Sequence, residues 1–258
     1  MSLRLVNLPA ILFAATFLVL WLSIRVGAFF LNRKQKPDEA DRGDMSLILG
    51  AMLTLLGLIV GFTFSMALGR YDQRKNYEAD EANAIGTEYF RAGLLPSSAD
   101  VQKVRTLLAT YTDRRISFYE AREKQQLLRI NSDTTQLQAA LWLAVLGPAS
   151  TSPTPITALV VSGMNDVLNS QGYTQAAWLN RIPIAAWVLM GTIAICCNLL
   201  IGYSIPRTRW GSVATTVLIL SVSLSFFFIA DLDSPNGGVI RVHPQNLISL
   251  SQSFHPRQ

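Results

Sequence analysis

The sequence predicts an all-α integral membrane protein with four transmembrane helices and a helical extramembrane domain between the second and third. Three observations carry that prediction. Half of the 258 residues are hydrophobic and only 15% are charged, well below the roughly 25% of soluble domains. The apolar residues come in blocks long enough to cross a bilayer, and mean hydropathy is +0.30. Between the blocks, apolar positions recur at helical spacing and no strand pattern appears.

The first span covers residues 8–31. It is long for the apolar core of a signal peptide and no Ala-x-Ala site follows it, so it reads as a retained helix. Arg25 lies near its far end, where a long side chain reaches the headgroups. Residues 32–44 form a polar connector containing Pro37 and Gly43.

The second span, residues 45–69, has no charge and passes directly into a densely charged stretch without proline and with Gly86 as its one glycine up to Ala92. Nothing there obliges a helix to stop, so one helix about 70 Å long is expected, half in lipid and half in water. Gly50, Thr54, Gly57, Gly61, Ser65 and Gly69 form a stripe of small residues that admits close helix packing. Leu55, Leu58, Phe62 and Met66 form a bulky stripe on another face. This division suits a pore-lining helix, and equally the central helix of any bundle.

Residues 70–182 read as an all-helical extramembrane domain. Gly93 to Pro96 is a stop, and Ser97, Ser98 and Asp100 restart a helix expected to run to about Gln126. Its charged residues Lys103, Arg105, Asp113, Arg114, Arg115, Glu120 and Glu123 read as a solvated face. Ser132 is a cap candidate for the next helix, with Gly147-Pro148 as its end, a Ser/Thr/Pro loop over 149–154, and a further helix from Pro155 to Arg181. The third span covers 183–205, with Asn198 as an interhelical hydrogen-bonding group. A tight turn through Arg207 leads to the fourth span, 210–230, and residues 231–258 form a C-terminal tail that frays after Leu250.

The net charge of +5 comes largely from basic residues near span ends, which fits a membrane surface rather than nucleic acid. Those residues balance on the two sides, so charge does not set the orientation. Cys196 and Cys197 are adjacent in an apolar run and suggest neither a disulfide framework nor a metal site. The two histidines, His243 and His255, lie in the tail, and no ligand spacing, phosphate loop or nucleophile elbow is present. No catalytic residue, metal site or cofactor is therefore expected, and the chain does not read as an enzyme. Asp231 and Asp233 are the one notable acidic pair; they offer few of the six to eight oxygens Ca²⁺ needs and read as a helix-end turn.

Several motifs are distinctive: Gly61-Phe-Thr-Phe-Ser65, Arg70-Tyr71-Asp72, Glu81-Ala-Asn83-Ala-Ile-Gly86-Thr87, Arg91-Ala-Gly93, Ala230-Asp231-Leu-Asp233-Ser-Pro235 and Gly238-Val-Ile-Arg241. On these the chain resembles the bestrophin-like domain family of bacterial membrane proteins, over nearly its whole length. That family is in turn distantly similar to bestrophins, pentameric anion channels with four spans per subunit. The resemblance implies a homo-oligomer, with five copies as the expectation, in the bacterial inner membrane, passing chloride or other small anions. It also implies cytoplasmic termini, a cytoplasmic domain over 70–182, and a pore lined by the second span with Leu55, Leu58, Phe62 and Met66 as constriction candidates. Asp231 and Asp233 stand where bestrophins carry a Ca²⁺ clasp, but too little of it remains to carry Ca²⁺ gating over. The rival expectation is a non-conducting scaffold or sensor whose helical domain binds a cytosolic partner.

Overall fold

The computed structural model describes residues 8–33, 39–204 and 209–254. Pro37, the turn at Arg207 and His255 lie outside the described residues. The described residues are helical almost throughout, without strands. Four stretches, within Pro9–Phe30, Gly43–Leu94, Pro155–Ser204 and Trp210–Asp233, are long and apolar enough to cross a membrane. The chain is a multi-pass membrane protein.

Helix α1 spans Leu8–Arg33, and α2 runs unbroken over 53 residues, Glu39–Arg91, about 80 Å at 1.5 Å per residue. A 3₁₀ turn, Ala92–Leu94, follows. Then come α3 (Ser98–Glu120), α4 (Lys124–Thr151), α5 (Pro155–Leu179), α6 (Ile184–Ser204), α7 (Arg209–Asp233) and α8 (Gln245–Phe254). Contacts divide the chain into two units: one holds the described residues up to Gly69 with 181–240, the other 70–180 with 241 onward.

In the first unit α1 packs against both α6 and α7. The α1–α6 contact is built on two glycines. A Cβ on Gly27 would fall onto the carbonyl oxygen of Leu199, and one on Gly202 onto that of Ile24. The backbones touch because neither helix carries a side chain there, which is how helices associate in lipid, where water supplies no drive between them. Phe13 meets Phe227 edge-on at 6.3 Å, joining α1 to α7, and Trp187 meets Phe226 at the same distance, joining α6 to α7. Asn198 is buried and donates to the Ala194 carbonyl of its own helix at 2.8 Å, not across the bundle as the sequence suggests.

In the second unit the lower half of α2 packs with α3, α4, α5 and α8 around Ile85, Val104, Leu108, Tyr111, Leu141, Val160, Met164 and Leu247. Several boundaries differ from the sequence expectation. Helix α2 begins at Glu39, taking in much of the polar connector, because Gly43 is tolerated within a helix. Helix α3 ends at Glu120, since Ala121 adopts extended backbone and is buried. Helix α4 then starts at Lys124, before Ser132, because Ile130 and Leu127 have core to bury and need no serine cap. It also passes Pro148 to reach Thr151: so near the end, a proline forfeits little of the ladder, and Ser150 and Thr151 hydroxyls bond back to Leu146 and Gly147. Helix α5 starts at Pro155 as expected, with Thr154 and Thr157 in a reciprocal capping box. It stops at Leu179, and Pro183 keeps the preceding residue out of helix before α6 begins. The tail is not frayed at Leu250: α8 continues to Phe254, whose ring stacks on Tyr89 at 4.1 Å.

Candidate functional site

The sequence singles out α2, and the structure divides its surface three ways. One line is buried by the chain itself: Leu56, Thr63, Ala67, Arg74, Glu78, Glu81 and Ile85, spaced by seven, four and three. The small stripe lies about 150° away round the helix at about 100° per residue. Gly50, Gly57, Gly61 and Gly69 meet nothing within 4 Å of a built Cβ. Thr54 and Ser65 are exposed on that side, with the Thr54 hydroxyl bonded back to Gly50. The bulky stripe occupies the third direction: Leu55, Leu58, Phe62 and Met66 are all exposed, Phe62 to 65%. Among the described residues no packing covers either open face at these positions.

The motif residues further along α2 separate into core and surface. Asp72 and Asn83 are exposed, and Arg70 and Tyr71 half-buried. Gly86 is buried where α8 crosses, since a Cβ would stand 3.0 Å from the Leu250 methyl. Glu81 is fully buried and accepts from the Arg115 Nε, from Arg115 Nη2 at 3.3 Å, from the Tyr119 hydroxyl at 3.3 Å and from Thr174 at 3.2 Å. One carboxylate thereby ties α2 to α3 and α5. Arg115, placed by the sequence reading on a solvated face, is fully buried because Glu81 waits for it. Burial works to discharge the guanidinium, and the Glu81 carboxylate overrides it, so its pKa is raised. Burial, followed by the Glu81 charge, pushes the Tyr111 and Tyr119 phenols up as well, so both stay neutral: Tyr119 donates to Glu81, and Tyr111 accepts from the Gln138 amide.

Glu78, which no motif flagged, anchors α8. Its carboxylate accepts the Leu247 N–H at 2.9 Å, one of the open backbone donors at the helix start, and the Asn246 side-chain amide at 2.6 Å. The signal available in the sequence is that Glu78 and Glu81 keep step with buried Ile85 at helical spacing. Carboxylates on an apolar line have partners to find.

The acidic pair after the fourth span is committed to the backbone. Asp231 is fully buried and its two oxygens accept the Val239 and Ile240 N–H groups at 2.8 and 2.7 Å. Gly238 sits against this carboxylate at φ 83°, which a side chain would both strain and block. Asp233 accepts the Ile182 N–H at 3.0 Å, and its carbonyl accepts from Arg181, fastening the end of α7 to the entry of α6. This is turn chemistry, with the oxygens already taken. Among the described residues no group of three or more His, Cys, Asp or Glu could hold a metal ion.

A family model described as Bestrophin-like domain matches residues 10–247. No curated protein sequence matches the chain. Among solved structures, the chain is similar to a bacterial bestrophin homologue from Klebsiella pneumoniae, with a TM-score of 0.67 at 12% identity, covering 95% of this chain and 96% of that one. A mutated form of that homologue matches at 0.67 and 11% identity with the same coverage. A structure described only as a mutated membrane protein matches at 0.63 and 13%, covering 95% and 97%. At these identities the likeness is one of fold.

Proposed function

Because the chain belongs to the Bestrophin-like domain family, we propose that it is a homo-oligomeric anion channel whose pore is lined by α2. The observation that carries this reading is the three-way division of α2. A helix buried on one face by its own chain, with a small face and a bulky face both open, has places for a neighbouring subunit and for a central path. The small face lets the next subunit approach closely, which is where association energy in lipid comes from. The bulky face then points to the axis, and Phe62, with Leu55, Leu58 and Met66, forms the constriction. Rings of apolar side chains gate by dewetting, and phenyl edges carry the partial positive charge that accommodates an anion. Conduction of this kind needs no catalytic group, so the protein acts as a conduit and not as an enzyme. The reading puts it in the bacterial inner membrane with both termini and residues 70–182 in the cytoplasm, and five copies in the ring.

Native mass spectrometry from mild detergent checks the assembly. A single closed species, with five copies as the expected number, is the predicted outcome. A clean monomer that retains its fold would rule out a shared pore and favour the scaffold reading.

A further inference from the structure

Glu88 is the buried acidic side chain, among the described residues, with no role in what precedes. It is fully buried on α2, and both carboxyl oxygens lie out of contact with water and without a hydrogen-bond partner. It rests directly on the backbone of α5, since a Cβ on Gly163 would fall onto Glu88 Oε2 and crowd the Arg91 guanidinium. Arg91, one turn on along α2, faces Asp166 of α5 at 3.8 Å. The 3₁₀ turn that packs on α5 contributes only Ala, Gly and Leu. On the α3 side the nearby cation, Arg105, is engaged with Tyr89, donating to its carbonyl at 3.1 Å and lying over its ring. The charges facing Glu88 are therefore Arg91 and Asp166.

We propose that the Glu88 carboxyl is a built-in alkaline sensor: ionising it sets Glu88 against Asp166 for the one guanidinium of Arg91 and loosens α2 from α5. A buried carboxylate without donors is costly, so the neutral acid is the form this packing accepts. Burial pushes its pKa up to about 8, Arg91 opposes that rise and Asp166 adds to it. The sign follows from linkage. The folded value lies above the ordinary 4.5, so the packed domain keeps a proton that an opened one releases. The stabilisation is complete in acid and is lost as pH rises through about 8. The proposal is independent of whether the protein conducts.

The test is hydrogen exchange of residues 155–179 in the full-length protein, corrected for the intrinsic pH dependence of exchange. Between about pH 7 and about pH 9, protection in the wild type falls about tenfold, while Glu88→Gln changes less than about twofold. An equal fall in the glutamine variant would assign the transition to another group, and no fall in the wild type would remove the sensor. Should Glu88→Gln fail to fold, Asp166→Asn at the exposed partner decides the matter. Removing that negative charge moves the midpoint to lower pH, and a midpoint that stays in place overturns the proposal.

Discussion

Replacing Gly202 by leucine is expected to abolish the folded membrane unit. The obstacle is backbone against backbone: the new Cβ would occupy the carbonyl oxygen of Ile24, and no rotamer of a neighbour relieves it. Gly27 is in the reciprocal position against Leu199, so α1 and α6 would have to separate along this contact. Overpacking a soluble core costs about 1–3 kcal/mol, and here the top of that range or more is expected because neither partner is a flexible side chain. In lipid, separation also forfeits the van der Waals contact that drives association. Gly147→Ala is the control, since a Cβ there meets nothing within 4 Å and alanine favours helix. Monodisperse recovery from detergent and thermal unfolding read both: Gly202→Leu should be lost, and Gly147→Ala should match the wild type or exceed it. Normal recovery of Gly202→Leu would mean that α1 and α6 do not touch as described.

The second large effect lies in the extramembrane unit. Arg115→Met should destabilise that unit by about 3–5 kcal/mol, because it leaves the Glu81 carboxylate buried without its cation. Tyr119 and Thr174 would still donate to Glu81, which places the loss toward the lower end of that range. The guanidinium also lies 4.4 Å over the Phe118 ring, a contact methionine replaces only in part. The double variant Glu81→Leu with Arg115→Met removes both charges and should recover most of the loss, since a buried ion pair is worth little more than well-packed apolar residues. Chemical denaturation of the single and double variants measures this. A single variant as stable as the wild type would contradict the buried pair.

Much of the fold was legible because membrane spans announce themselves: an uncharged run of sufficient length has few alternatives. The long α2 was legible for the same kind of reason, as nothing between Met45 and Arg91 breaks a helix. What the sequence hid was which glycines the chain uses internally. The stripe on α2 is regular and visible, yet among the described residues its glycines face open space, while the backbone-to-backbone contact of α1 with α6 rests on Gly27 and Gly202, isolated residues in helices far apart in sequence. Periodicity along one helix cannot reveal a pairing between two. Arg115 was misread for a related reason: a charged residue on a helix is solvated by default, and only its meeting with Glu81 on another helix reverses that. The start of α4 at Lys124 carries no side-chain cap and left little mark in the sequence, whereas the start of α3 was legible from Ser97, Ser98 and Asp100 although no side-chain cap bond forms there. Asp231 was read correctly in kind, as a turn, but the donors that fill it come from Val239 and Ile240, beyond local reach.

The central claim, that the bulky face of α2 lines an anion path, is tested most directly by chloride efflux from liposomes holding the purified protein beside its Phe62→Ala variant. Phe62 is among the most exposed apolar side chains of α2, and its truncation disturbs little packing among the described residues, so the variant should fold. Chloride efflux from the wild type that rises, or changes anion selectivity, in Phe62→Ala is the predicted result. Well-folded oligomers of both forms that release no chloride would contradict the account.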